Sequence, residues 1–255
     1  MRSHSGLILG LMMLAGLLTA ASARAEEPTV SCEVPDYLLA SESALPKVAE
    51  AIKAGHSLDI LVVGSRSSTI NTTNASDASA YPGRLQAILK EKLPSVAVSV
   101  SVEIQAKKTA EEVAADMVKL VEGKKPTLVI WQTGTVDAMR SVDPDDFRSA
   151  VDEGVVALQE AGTDVVLMNP QYSPRTETMI SASPYLDSMR VVAQQHDVPL
   201  FDRFAIMRHW NESGDFDLFT TFHGIELAKR VHDCLGRALS QFVIDAAHTN
   251  PAQQN

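Results

Sequence analysis

Leu58-Asp59-Ile60-Leu61-Val62-Val63-Gly64-Ser65-Arg66-Ser67-Ser68-Thr69 is the stretch that decides the fold. Its first six residues form a short, nearly continuous apolar run that Gly64 ends. A strand buried on both faces of a parallel sheet reads this way. A turn rich in hydroxyls follows. A serine on a sharp turn after a central strand stands at the top of the sheet, where a nucleophile belongs. The same residue types also cap the segment that follows them, through their side-chain oxygens. The turn alone leaves both readings open.

Working outward, Leu45 to Ala54 places apolar residues at helical spacing and stops at Gly55. Tyr81 to Leu93 reads as a helix, with Pro82 in its first turn and Pro94 past its end. Val96 to Ile104 alternates valine with serine, as a strand does. Thr109 to Val121 reads as one helix opened by a capping box of Thr109 and Glu112. Thr127 to Trp131 and Asp164 to Met168 are buried strands, and Asp145 to Ala161 is a helix closed by Gly162. Tyr185 to Gln195 is a helix, Val198 to Phe201 a short strand, and Ile225 to Ala246 a long terminal helix. Strands that alternate with helices predict an α/β fold. The expected form is a three-layer αβα sandwich around a mainly parallel, flavodoxin-like sheet. Ligands of such sheets bind beyond the carboxyl ends of the strands. The loops after Val63, Trp131 and Met168, and the loop before the last helix, are therefore the ones to inspect.

The amino terminus has the signature of a leader. Arg2 precedes an apolar stretch from Leu7 to Leu18, and Ala23-Arg24-Ala25 supplies a cleavage site. Glu26 and Glu27 follow at once, so the run is too short for a membrane span. The expected organisation is a signal peptide over 1–25, one domain over 26–248 and a polar tail over 249–255. The mature chain of 230 residues suffices for one sizeable core. The whole chain carries a net charge of −10. Losing Arg2 and Arg24 leaves 20 basic residues against 32 acidic, a net −12. Such a surface repels nucleic acid and anionic lipid, and no basic patch interrupts it. No nucleic-acid partner and no stable membrane insertion after cleavage are expected. The leader is of bacterial type, which implies a periplasmic or secreted protein. In that setting the isolated pair Cys32 and Cys234 is readily oxidised to a disulfide. No phosphate-binding glycine loop and no metal-binding cluster appears, so neither a cofactor nor a metal is expected. His232-Asp233-Cys234 does not make a metal site, because consecutive helical residues point in different directions.

Three loops carry candidate chemistry. Ser65 and Ser67 flank Arg66 in the first. In the second, Trp131-Gln132-Thr133-Gly134-Thr135-Val136-Asp137, Gly134 permits close backbone approach to a ligand. Asp137 serves either that ligand or a local helix cap. His223, just before the terminal helix, can reach the first loop as a general base, or it can simply open the helix.

Together these pieces resemble the SGNH (GDSL-type) hydrolases in order, spacing and flanks. Ile60 to Thr69 with Tyr81-Pro82-Gly83-Arg84-Leu85 resembles the family's first block, and Leu128 to Thr135 its third. Asp164 to Tyr172 and Phe204-Ala205-Ile206-Met207-Arg208 look like segments of an exported branch, and the likeness runs from about Cys32 to Leu239. It implies the SGNH fold and an acylhydrolase or esterase activity. It also implies a serine in the first loop, oxyanion donors near Gly64 and Gly134, and His223 as base. The catalytic blocks are degenerate. The family's serine position falls on Arg66, with Ser65 and Ser67 on either side. Glu103 to Thr109 lacks the second-block glycine. Val136 replaces the donor asparagine, and Thr220 stands where the acid before the histidine belongs. Loss of one oxyanion donor typically costs about 3–4 kcal/mol of transition-state stabilisation.

Two functions follow. One is a serine hydrolase acting on a small-molecule or glycan ester, from a carbohydrate, a cell-envelope component or a lipid. In it Ser67 or Ser65 is the nucleophile, and Lys108 or Arg66 substitutes for the lost donors. The other is a non-catalytic periplasmic protein, a pseudoenzyme that binds a glycan, small anion or protein in the same cleft through Arg66.

Overall fold

The structure, a computed structural model, describes residues 32–70, 77–219 and 224–248. The expected leader and tail, Thr220 and His223 lie outside them. Five strands form one sheet: β1 (Ser57–Gly64), β2 (Ala97–Ile104), β3 (Leu128–Gln132), β4 (Asp164–Met168) and β5 (Leu200–Phe201). Every pairing is parallel and the order is β2-β1-β3-β4-β5. This is the doubly wound arrangement expected. The chain leaves β1 towards β2 and then crosses back to β3, so the sheet switches direction between β1 and β3. In sheets of this kind ligands bind near that point.

Helices cover both faces. On one side pack α2 (Pro46–Ala54), α3 (Tyr81–Lys92) and α11 (Gly224–His248). On the other lie α4 (Ala110–Ala114), α5 (Met117–Glu122), α7 (Pro144–Glu160) and α9 (Ser183–Gln195). Strand alternation divides the core between them. Leu61, Val63, Val129, Trp131, Val165 and Leu167 are buried against the second layer, with Phe147, Val151, Leu158 and Met189. Leu58, Ile60, Val62, Leu128, Ile130 and Val166 are buried on the opposite face. Helix α7 rides close to the sheet because Gly154 has no side chain. A Cβ there would lie 2.5 Å from Trp131 Cη2.

Four further helices are short or follow loops: α1 (Asp36–Leu39), α6 (Thr135–Arg140), α8 (Pro174–Met179) and α10 (Arg203–Glu212). The sequence patterns do not announce them. The expected single helix from Thr109 to Val121 is two. Its capping box forms as read, with Thr109 Oγ1 accepting from Glu112 N at 3.3 Å. The helix then breaks at Ala115-Asp116, where the Asp116 carboxylate turns back to Lys108 Nζ at 2.7 Å. The strand expected over Val198 to Phe201 keeps only its last two residues. Cys32 and Cys234 are joined in a disulfide with their Cα atoms 5.2 Å apart. Among the described residues no helix is long and apolar enough to cross a membrane.

Candidate active site

The turn after β1 is a single 3-10 turn over Arg66–Ser68, with Ser65 at its amino end. Gly64 is required there. A Cβ would collide with the Ser68 side chain, its Cβ lying 2.9 Å away. That close approach lets Gln132, the last residue of β3, reach all three hydroxyls. Gln132 is 3% exposed. Its Oε1 accepts from Ser68 Oγ at 2.5 Å and from Ser67 Oγ at 3.3 Å, while its Nε2 donates to Ser65 Oγ at 2.9 Å. One amide side chain thus orients the whole turn.

Ser67 has a second partner. Nη1 and Nη2 of Arg203 each donate to its Oγ at 3.3 Å. Arg203 is 1% exposed, and its Nε has no hydrogen-bond partner. The start of α10 holds it in place. Asp202 caps the helix by accepting from Ala205 N at 2.9 Å. Buried Asn169, just after β4, donates to Asp202 Oδ1 at 2.6 Å and accepts from Phe204 N at 2.9 Å. Burial pulls the Arg203 pKa down to about 10, which still leaves it charged near neutrality.

Behind the turn sits buried Tyr81, whose hydroxyl meets Ser68 Oγ at 3.0 Å. Burial raises its pKa, keeping the phenol neutral. Its backbone N–H donates to His232 Nδ1 at 2.9 Å. His232 therefore carries its proton on Nε2 when neutral. Burial, helped by the Arg203 charge, pushes its pKa down to about 4. An imidazole so held is a poor proton acceptor, so His232 is no substitute for a general base at neutral pH.

Two hollows flank the turn, and they separate the candidate residues. One, of about 10 Å³, is lined by Gly64, Ser65, Gly134, Val136, Asp137 and Lys108 among others. It has room for about one water molecule and no substrate. The other is a cleft of about 190 Å³ that takes in Ser67, Tyr172, Arg203, Met207, Val231 and His232. Ser67 thus opens on the cleft, Ser65 on the small hollow, and Arg66 is exposed to solvent. Gly134 adopts φ 95° at the start of α6, with Pro170 close over it. Asp137 is buried, and its Oδ1 accepts from Ala110 N at 2.8 Å, bracing the start of α4. Burial raises its pKa. Lys108, paired with Asp116, has its ammonium engaged. His223 lies outside the described residues, and its chain neighbour Gly224 lines the cleft.

A larger cavity of about 640 Å³ includes Lys47, Asp164, His196 and Asp197. It sits at the amino end of β4, away from the crossover. Its buried carboxylate, Asp164, is taken up by the N–H groups of Lys47 and Val48 at 2.9 and 3.0 Å.

Three residues around the serine turn escape sequence reading: Gln132, Arg203 and His232. Gln132 stands inside the quoted third-loop motif, and its place at a strand end was the available signal. His232 shares a helical face with Ala228 and Leu235, which also line the cleft. For Arg203 the only cue is the helix cap Asp202 before it. Nothing local announces a buried arginine.

A doubly wound parallel sheet with a serine turn at its switch point is the fold of the SGNH hydrolases. The Non-GDSL lipase-like family matches residues 31–249, and the chain belongs to that family. No curated protein sequence matches significantly. Solved structures share the fold. An acetylxylan esterase, Axe2 from Geobacillus stearothermophilus, superposes with a TM-score of 0.60 at 15% identity, over 72% of this chain and 93% of that one. The esterase EstA from Pseudoalteromonas sp. gives 0.55 at 16%, over 73% and 96%. A two-domain esterase active on acetylated mannans gives 0.64 at 14%, over 84% of this chain and 57% of the esterase.

Proposed function

We propose that this chain is an exported serine esterase of the SGNH type, with Ser67 as nucleophile and His223 as base. One observation carries the choice of serine. Of Ser65, Arg66 and Ser67, only Ser67 opens on the 190 Å³ cleft, and there it touches the Arg203 guanidinium. A buried cation beside a hydroxyl favours its ionised form and the oxyanion that follows. It offers in one side chain what Val136 and the glycine-free second block lack. In the proposed cycle Ser67 Oγ attacks the ester carbonyl and its proton passes to His223. That proton then leaves with the alcohol, and water releases the acid from the acyl-enzyme. Gln132 holds the turn, and Arg203 faces the developing negative charge.

The leader over 1–25, cleaved before a domain over 26–248, and the disulfide both support an oxidising destination, the periplasm or the medium. Two of the structural neighbours bear names that tie them to acetylated glycans. Glycan esters are therefore the first substrates to try, followed by cell-envelope and lipid esters. Hydrolysis of p-nitrophenyl acetate and of acetylated xylan and mannan provides the test. Ser67→Ala should lower kcat by a factor of about 10³ or more, and His223→Ala comparably. Ser65→Ala should keep most of the activity. A wild-type protein inert on all these esters would leave the non-catalytic binding role. Full activity in Ser67→Ala would move the nucleophile elsewhere.

A further inference from the structure

Arg203 is a buried cation without an anion. Among the described residues its guanidinium hydrogen-bonds only the neutral Ser67 hydroxyl, and no described carboxylate forms an ion pair with it. The only acidic residues outside the described ones are Glu26 and Glu27, before the matched domain. Its other titratable neighbours, Tyr81 and His232, are neutral near pH 7. An uncompensated buried charge costs several kcal/mol, and proteins remove that cost by pairing it. The buried arginine lines an open cleft, so the missing partner can come from solution.

The shape of the cleft limits what that partner is. Met207, Leu227, Val231 and Leu235 give it an apolar wall, with Arg203, Ser67 and His232 at the polar end. Its volume of about 190 Å³ is below the 300–1,000 Å³ or so of sites for drug-sized ligands. A guanidinium fork matches a planar carboxylate through two parallel N–H bonds. We propose that this cleft binds short-chain monocarboxylates, the carboxylate on Arg203 and the alkyl chain along Met207, Leu227 and Val231. The inference shares its site with the esterase reading, and under that reading the bound species is the acid product. A carboxylate oxygen then occupies the place of the oxyanion, so short acids inhibit the enzyme competitively. Binding itself requires no turnover.

Titration calorimetry of the purified, disulfide-bonded protein with sodium butyrate and with butyramide, at constant ionic strength, provides the test. Butyrate should bind saturably, at least about tenfold more tightly than the isosteric amide. Arg203→Met should abolish the difference, and Arg203→Lys, which keeps the charge and loses the fork, should retain part of it. If Arg203→Met does not fold, the butyrate–butyramide contrast in the unaltered protein decides alone. Equal affinity for acid and amide, or no saturable butyrate binding in the millimolar range, overturns the inference. The two proposals fail separately. Butyrate binding without ester hydrolysis upholds this one and sinks the esterase. Hydrolysis without butyrate binding or inhibition does the reverse.

Discussion

His232 shows how one side chain ties the site to pH. Its pKa of about 4 in the fold lies below the ordinary value of 6.5. The native state therefore binds fewer protons than the unfolded chain between those values, and stability falls as pH drops through that window. The loss is complete below about pH 4 and amounts to something on the order of 3 kcal/mol. Asp137 and Asp164, whose pKa values burial raises, act in the opposite sense as pH falls towards the carboxylate range. The difference between wild type and His232→Gln isolates the imidazole. Urea melts from pH 7 to pH 4 should show a steeper loss in the wild type. Parallel curves for the two proteins would remove His232 as the cause. At this scale the sequence singles out the serine turn but not the side chains that contact it. Ser65, Ser67 and Gly64 follow an apolar run and announce themselves. Arg203 lies 136 residues from Ser67, and only the folded sheet brings them together.

At the scale of elements, the close packing of α7 on β3 makes a sharp prediction. Gly154→Ala places a methyl against the fully buried Trp131 ring, with neighbouring strands blocking retreat. Overpacking of this kind costs about 1–3 kcal/mol, seen as a lower urea midpoint. A Gly154→Ala protein as stable as wild type would show that α7 can slide. The strands were legible because parallel strands buried on both faces are written as unbroken apolar runs, as in Leu128-Val129-Ile130-Trp131. Long amphipathic helices were legible for the same kind of reason. The break between α4 and α5 was not, since the periodicity runs through Ala115-Asp116, where Asp116 pairs instead with Lys108. Helix α6 was hidden too, a six-residue helix after Gly134 that carries Asp137 towards Ala110.

At the scale of the whole molecule, strand order places the serine turn and the Gly134 loop side by side at the switch between β1 and β3, while α10 and α11 wall the cleft from the far side. The Cys32–Cys234 bond closes a sequence separation of 202, and the chain-entropy account gives such a loop about 5 kcal/mol. It also decides how the molecule carries load. Tension applied through the two chain ends enters at Cys32, crosses the sulfur bridge and leaves along the last turns of α11. The sheet, the serine turn and Arg203 stay slack, while Leu235 at the edge of the cleft lies on the loaded segment. In an optical trap the oxidised domain should therefore yield at most about 50 Å of new contour, from residues 235 to 248 of α11. After reduction the same pull should release the whole domain, on the order of 700 Å. A long extension before reduction would mean that force finds another path. A domain anchored at one end and tugged at the other would thus keep its serine turn and buried arginine out of the line of strain.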